Sequence, residues 1–312
     1  MLNVITGAIS LGLLWSVTAL GVYLTFRMLD FADMTVDGSI VTGAAIVATL
    51  LKNGITNPFI ATFAAFIGGM IAGTVTGLLH TKLKIPAILS GILTQIGLYS
   101  VNIKIMGSAN VNLLKVDTLF DLIPISKNAV LLGGGVAAVA LVAVLYSFLT
   151  TSLGSALRAT GNNEKMASAM GINTDNMKIM GLALGNGLVA LSGALIAQSQ
   201  QYSDMGMGQG SIVIGLASIF IGEVLWQRRS ILGKLSAVVV GAVTYRVIIA
   251  LVIDMGMDPL NLKLFTAITV TLALSMPRLR CFAVSKMKSI KKAASRPVKH
   301  PVKIREKKET AV

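Results

Sequence analysis

"MKIMGLALGNGLVALSGALIAQSQ", residues 177–200, carries one lysine at its second position and no other charge. Between Ile179 and Ala197 its apolar residues and glycines run on without alternation, interrupted only by Asn186 and Ser192. A continuous run of this length suits the roughly 20 apolar residues of a helix that crosses a bilayer. A membrane strand would instead alternate apolar and polar residues. The chain as a whole agrees: of 312 residues 54% are hydrophobic and 13% charged, more apolar surface than a soluble domain of this size can bury. Glycine is abundant (31) and aromatics are few (5%), a composition that lets helices approach closely through small residues. The reading is an all-α, polytopic integral membrane bundle.

Eight more segments follow on either side of this one, for nine in all: about 4–26, 36–52, 57–79, 85–103, 129–150, 177–200, 210–226, 231–252 and 260–276. The second and seventh are short, as broken or tilted helices are. With the N-terminus outside, the inner connections receive Arg27, Lys82, Lys84, Arg158, Lys165, Lys178, Arg228, Arg229 and Lys234. The outer ones receive Lys52, Lys104, Lys115, Lys127 and Lys263. The excess of inner charge sets this orientation and puts the C-terminus in the cytoplasm. The first basic residue is Arg27, so the N-terminus has no positively charged n-region and does not read as a signal peptide.

The sequence therefore divides into a membrane domain, 1–276, and a basic tail, 277–312. The tail holds 12 of the 27 lysines and arginines against Glu306 and Glu309, which accounts for +10 of the formal charge of +14. It is expected to be disordered or to lie on anionic lipid. It lacks the interleaved aromatics that stack on bases, so nucleic acid is not an expected partner. The one cysteine, Cys281, has no partner for an internal disulfide, and the two histidines, His80 and His300, lie far apart. No Cys, His and acid cluster has metal spacing, and no G-x-x-x-x-G-K-[ST] phosphate loop occurs. The chain is expected to be no enzyme, and to bind no metal or cofactor of its own.

"RATGNNEKMASAMGI", residues 158–172, is a polar interruption on the inner side of this scheme. Asn162 or Asn163 can cap a helix start, Glu164 falls in its first turn, and Gly171 suits the left-handed position that ends it. The spacing predicts a short helix over about 163–170. Met166 and Met170, four apart, share a mildly apolar face that suits either a groove on a protein partner or a lipid surface.

Other polar residues interrupt the spans. Asp30, Asp33 and Asp37 are spaced as one helical face, although Gly38 and the polar run predict that the helix breaks here. They line a cavity or gate on one reading and cap helices on the other. Gln95, Tyr99 and Asn102 share a face of the fourth segment, and Asn186 lies inside the sixth. These uncharged groups serve either a hydrated path or helix–helix hydrogen bonds. Glu223, Arg246 and Asp254 are membrane-proximal or embedded charges that should pair or face the bundle, and Asp254 lies too far along from Arg246 to be its i,i+4 partner. The stretches 203–210 and 254–263 are candidates for an outer rim.

"LGSALRATGNNEKMASAMGINTDNMKIMGLALGNGLVALSGAL" (153–195) resembles the signature region of bacterial ABC-importer permeases of the branched-chain amino acid and ribose class. "RMLDFADMTVDGS" (27–39) is similar to a subgroup associated with binding proteins for amino acids, aromatic ones among them, and "GSIVIGLASIFIGEVLW" (210–226) also fits. The resemblance covers nearly all of residues 1–280. It implies that 163–170 is a coupling helix docking in a cleft of a separate ATPase, which would hold the ATP and magnesium. Arg158, Glu164 and Lys165 would then pair at the rim and Met166 and Met170 fill the cleft. It further implies an extracytoplasmic binding protein, a second permease subunit (the same chain favoured, a different one possible), and a multi-pass place in the bacterial cytoplasmic membrane. A stand-alone secondary transporter or channel for a small polar solute is the competing class. Repeats and a coupling-ion site would mark the first and a filter-like run the second.

Overall fold

The computed structural model describes residues 2–54, 57–114, 116–122, 129–226, 230–256, 264–271 and 275. Helix α1 (Leu2–Val22) continues into a π-helical turn, Tyr23–Met28. There follow α2 (Val36–Lys52), α3 (Pro58–Thr81), α4 (Ala87–Met106), strand β1 (Asn110–Asn112), α5 (Ala129–Thr150), α6 (Ser152–Asn162) and α7 (Glu164–Ala169). The rest is α8 (Thr174–Gln200), β2 (Tyr202–Asp204), α9 (Ser211–Leu225) and α10 (Ile231–Asp254). Residues 264–271 are also helical. The chain divides into Met1–Leu274 and Ser275–Val312, and the account below concerns the first.

Six helical stretches among the described residues are long and apolar enough to cross a membrane: Val4–Met28, α3, α4, α5, α8 and α10. The two segments expected to be short are α2, of 17 residues, and α9, of 15. Of the expected last segment, 260–276, the structure describes 264–271 and residue 275 as helix. Lys115, Lys127, Arg228, Arg229, Lys263 and the tail 277–312, with Cys281 and His300, lie outside the described residues.

The helix of the opening stretch, α8, is the central one. Its apolar window is 78% buried, against 17% in α5 at the periphery. It packs on α1, α2 and α3. Small residues permit this. A side chain at Gly43 would collide with the backbone of Ala190, and one at Gly193 with the backbone of Ile40, so α2 and α8 touch backbone to backbone. The polar residues of α8 are matched across these contacts. Ser192 donates to the Leu14 carbonyl (2.8 Å) and accepts from Thr18 (2.7 Å), while Gln198 donates to Thr62 (2.9 Å) and accepts from Leu119 N–H (3.0 Å).

α8 also fixes the two ends of the bundle. Its 27 residues rise about 40 Å at 1.5 Å each. At its start lies α7; at its end lies β2, which pairs antiparallel with β1 (Asn110 with Asp204, Val111 with Ser203, Asn112 with Tyr202).

Candidate functional site

The helix breaks after Met28, as the acids and Gly38 led us to expect, but the three acids do not share a face. Residues 29–35 are not helical, so the periodicity that would align them is absent. Asp30 is exposed with a left-handed backbone (φ 54°). Asp33 is buried and bonded on both oxygens, to Thr35 N–H at 2.9 Å and to the Asn186 amide at 2.6 Å. Burial pushes the Asp33 carboxyl above the usual carboxylate range, and the hydrogen bonds from Thr35 and Asn186 oppose that. Asp37 sits in the first turn of α2 and accepts from Gly210 N–H and Ile212 N–H, both at 3.0 Å. It thereby caps α9, whose own N-cap residue Gly210 has no side chain to do so.

Around this break the buried polar groups are joined. Asn186 donates to Asp33 and to the Leu182 carbonyl (3.0 Å), and accepts from Ser39 at 2.6 Å. Beside it the hydroxyls of Thr35 and Thr76 lie 2.7 Å apart, and Thr76 donates to Thr94 at 2.9 Å. The connection therefore ties the loop to α8, α2, α3 and α4. Nothing local in the sequence marks these partners, because threonines in spans commonly bond their own helix backbone.

Asp37 also opens onto a cavity of about 380 Å³ between α2, α4 and the segment that precedes α9. Gln95, Tyr99 and Asn102 line it together, with Gly38, Ser100 and Gln209. Of the cavity candidates, Asp37, Gln95, Tyr99 and Asn102 are thus brought together, while Asp30, Asp33 and Asn186 are not among its lining. The Asn102 amide donates to the Gly38 carbonyl at 3.3 Å, and its buried oxygen has no hydrogen-bond partner among the described residues. The stretch 203–210 begins in the sheet, with Gly206 and Gln209 exposed. Met205 N–H donates to the Ala109 carbonyl (3.1 Å) beside the sheet, and the chain then turns inward until Gly208 lies against the backbone of Asp37. Of 254–263, residues 257–263 lie outside the described residues.

At the other end of α8, helix α7 covers Glu164–Ala169 rather than 163–170. Asn163 is its cap, accepting from Met166 N–H at 3.0 Å, and Asn162 is the last residue of α6. Gly171 (φ 83°) closes it: Gly171 N–H donates to the Ser168 carbonyl (3.0 Å) and Ile172 N–H to the Ala167 carbonyl (3.1 Å), the paired bonds of a Schellman end. Ala167 faces inward and is buried, whereas Met166 and Met170 are 47% and 74% exposed. Glu164 is already paired, with Lys178 of α8 at 2.6 Å, which holds the start of α7 to the bundle. Arg158 bonds Ser155 at 3.2 Å within α6, and Lys165 is exposed. Behind α7, α6 rests on the break itself, since a side chain at Gly161 would collide with the backbone of Met28 and Leu29.

The membrane charges find different partners. Glu223 pairs with Arg27 at 2.9 Å, closing the end of α9 on the end of the π-helical turn. Arg246 lies over the Trp15 ring, 4.2 Å from its centroid. Asp254 is the exposed last residue of α10. Among the described residues no group of three or more His, Cys, Asp or Glu could hold a metal ion.

Comparison with known proteins adds the family. Residues 4–274 match the model of the branched-chain amino acid transport system permease component. The chain is 44% identical over 264 residues to a tyrosine transport system permease protein of Clostridioides difficile, covering 83% of this chain and 86% of that one. It is 30% identical over 281 residues to an uncharacterized protein of Rickettsia prowazekii, covering 88% and 98%. An autoinducer 2 import system permease protein of Yersinia pseudotuberculosis is 28% identical over 187 residues, covering 57% of this chain and 49% of that one. No solved structure matches.

Proposed function

The chain belongs to the family of branched-chain amino acid transport system permease components, multi-pass proteins of the bacterial cell membrane, and we propose that it is the membrane subunit of an ATP-binding cassette importer for an amino acid. The observation that carries this reading is α7: a short helix fixed at both ends, presenting two exposed methionines, in a chain with no phosphate loop. A pump subunit without a nucleotide site must take its energy from another. A separate ATPase, holding ATP and magnesium, receives Met166 and Met170 in a cleft. Glu164 keeps its partner Lys178 and orients α7 from within, while Arg158 and Lys165 remain for the rim.

The bond network supports a mechanical route. Movement of α7 passes through α6 at Gly161 to Met28 and Leu29, and along residues 29–35 to Asp33, Asn186 and Asp37. Asp37 holds α9 and borders the cavity, so the route ends where a solute would pass. The cavity switches access as the ATPase closes and opens, two states biased by a partner. The N-terminus and the sheet face outward, where a binding protein delivers the solute. The segment 260–276 completes nine spans, and the basic tail lies in the cytoplasm against lipid. A second permease subunit, most simply another copy, closes the exposed side of α4. The tyrosine permease relative, matched over most of both chains, supports an amino acid as cargo.

The test is reconstitution of the chain with the ATPase and binding protein encoded beside it. ATP-dependent uptake of the ligand bound by that binding protein is expected. Met166→Asp with Met170→Asp should leave ATP hydrolysis uncoupled from uptake. Uptake without ATPase would instead make the chain a stand-alone transporter or channel.

A further inference from the structure

The cavity beside α4 has a polarity of its own. The Gly38 carbonyl can only accept, so the nitrogen of Asn102 must face it and the amide oxygen must face away. That oxygen is buried, on a residue 1% exposed, and has no hydrogen-bond partner among the described residues. A buried acceptor left unmet is costly, which is why such groups are nearly always paired in folded chains. Asp37 borders the same space. Its oxygens accept from Gly210 and Ile212 N–H, with Ser211 N–H also directed at them, which leaves part of the carboxylate's acceptor capacity for a further donor. Among the described residues lining the cavity there is no lysine, arginine or histidine. Lys104, one turn beyond Ser100 on α4, is exposed and not part of the lining. The polar end of the cavity thus carries one negative charge and, among the described residues of its lining, no positive one. Ile96 and Tyr99, 64% and 57% exposed, provide an apolar wall along α4.

We propose that the Asn102 amide oxygen and the Asp37 carboxylate form a subsite for the ammonium group of an amine-bearing solute. The Asn102 oxygen is closed off from the cavity, so the ammonium meets it as the side chain turns toward the space; its N–H groups then complete Asn102 and share the Asp37 charge, while the solute's apolar part lies along Ile96 and Tyr99. The subsite rests on the importer reading for how the solute arrives, and it names the half of an amino acid that this chain itself would recognise. A carboxylate finds only neutral donors in the lining, such as Gln95 and Ser100, and is repelled by Asp37. Because Asp37 also caps α9, occupation of the subsite acts directly on the start of that helix.

Charge-selective modification of a cysteine tests this without transport or ATP. Ser100→Cys, in a full-length chain carrying Cys281→Ser, puts one thiol in the lining. Ethylammonium and ethylsulfonate methanethiosulfonates are compared in proteoliposomes, with their rate ratio on free 2-mercaptoethanol as reference. A focused single-sign field should favour the cation by about tenfold over that reference, and Asp37→Asn should return the ratio towards it. Tyramine, an amine without a carboxylate, should slow modification severalfold. 3-(4-Hydroxyphenyl)propionate, the acid without the amine, should not. Asn102→Leu should abolish protection by tyramine. A ratio equal to the reference, equal protection by the acid, tyramine protection that survives Asn102→Leu, or a thiol that neither reagent reaches would each overturn the subsite. Loss of ATP-driven uptake in reconstitution would overturn the importer reading instead, and would leave these rates as they are.

Discussion

Asp33 and Asn186 stand 153 positions apart and meet side chain to side chain at 2.6 Å inside the bundle. Asp33 belongs to the break after the first span and Asn186 to the middle of α8, so this one bond holds a non-helical segment against the central helix. Both residues are buried, and both are bonded on more than one atom. Irregular backbone inside a membrane bundle persists only when protein satisfies its polar groups, and this pair is how that condition is met here.

Asn186→Leu should therefore destabilise the chain strongly. It strands Asp33 Oδ2 and the Ser39 hydroxyl, at a cost of about 1–3 kcal/mol for a buried group and more for a charged one. Asp33→Ala combined with Asn186→Leu should be milder than the sum of the two single changes, since each removes the other's stranded partner. Thermal unfolding of the detergent-solubilised chain measures all three variants. Additive losses would mean that the two side chains do not stabilise one another.

Much of this architecture can be read from the chain before any coordinates. Unbroken apolar runs locate the long helices, because length and continuity are direct requirements of a bilayer crossing. The caps of α7 are equally legible, since Asn163, Glu164 and Gly171 act within a few residues of their own positions. Asp37 shows where such reading stops. Its spacing from Asp30 and Asp33 points to a helical face, yet its partners Gly210 and Ile212 lie more than 170 positions away. The approach of Gly208 to the Asp37 backbone is hidden for the same reason, since the two lie more than 170 positions apart. Local chemistry gives caps and spans, and only packing gives the pairing between distant breaks.

Asn163→Ala and Gly171→Ala should loosen α7 without unfolding the bundle. Loss of an N-cap costs about 0.5–2 kcal/mol. A β-carbon at φ 83° opposes the left-handed turn that ends the helix. Hydrogen exchange across 164–172 should rise in both variants, while the thermal midpoint of the whole chain moves little. On the proposed importer reading both should lower ATPase stimulation in the reconstituted complex, because a frayed α7 would transmit less. Unchanged exchange would show that the packing of Ala167 and the Lys178–Glu164 pair hold α7 without its caps.

Gly161→Val tests the proposed route by separating docking from transmission. The new side chain has no room against Met28 and Leu29, so α6 must shift off the break. The exposed face of α7 is untouched, and the ATPase should still copurify with the chain. Uptake should fall at least tenfold while ATP hydrolysis continues. Loss of copurification together with uptake would instead show that the Gly161 contact holds α7 in its docking position.

Arg246 poses the sharpest energetic question in the bundle, because a charge within a span is costly unless something compensates it. Its guanidinium lies 4.2 Å from the centroid of the Trp15 ring, which offers the negative face of a π-system where, among the described residues, no carboxylate forms an ion pair with it. Such a contact contributes about 0.5–2 kcal/mol, the upper part of the range when it is desolvated. Trp15→Leu removes the face and keeps the charge, so it should destabilise the chain most. Trp15→Phe keeps a weaker face and should fall between Trp15→Leu and the native chain. Arg246→Met removes the charge along with its desolvation cost, and should be milder than Trp15→Leu even though it discards the same contact. The double variant Trp15→Leu with Arg246→Met should then be little worse than Arg246→Met alone. Thermal unfolding of the four variants in lipid nanodiscs reads the coupling directly. If Trp15→Leu and Trp15→Phe prove equal, shape rather than the π-face holds Arg246, and the charge must be met by water or lipid.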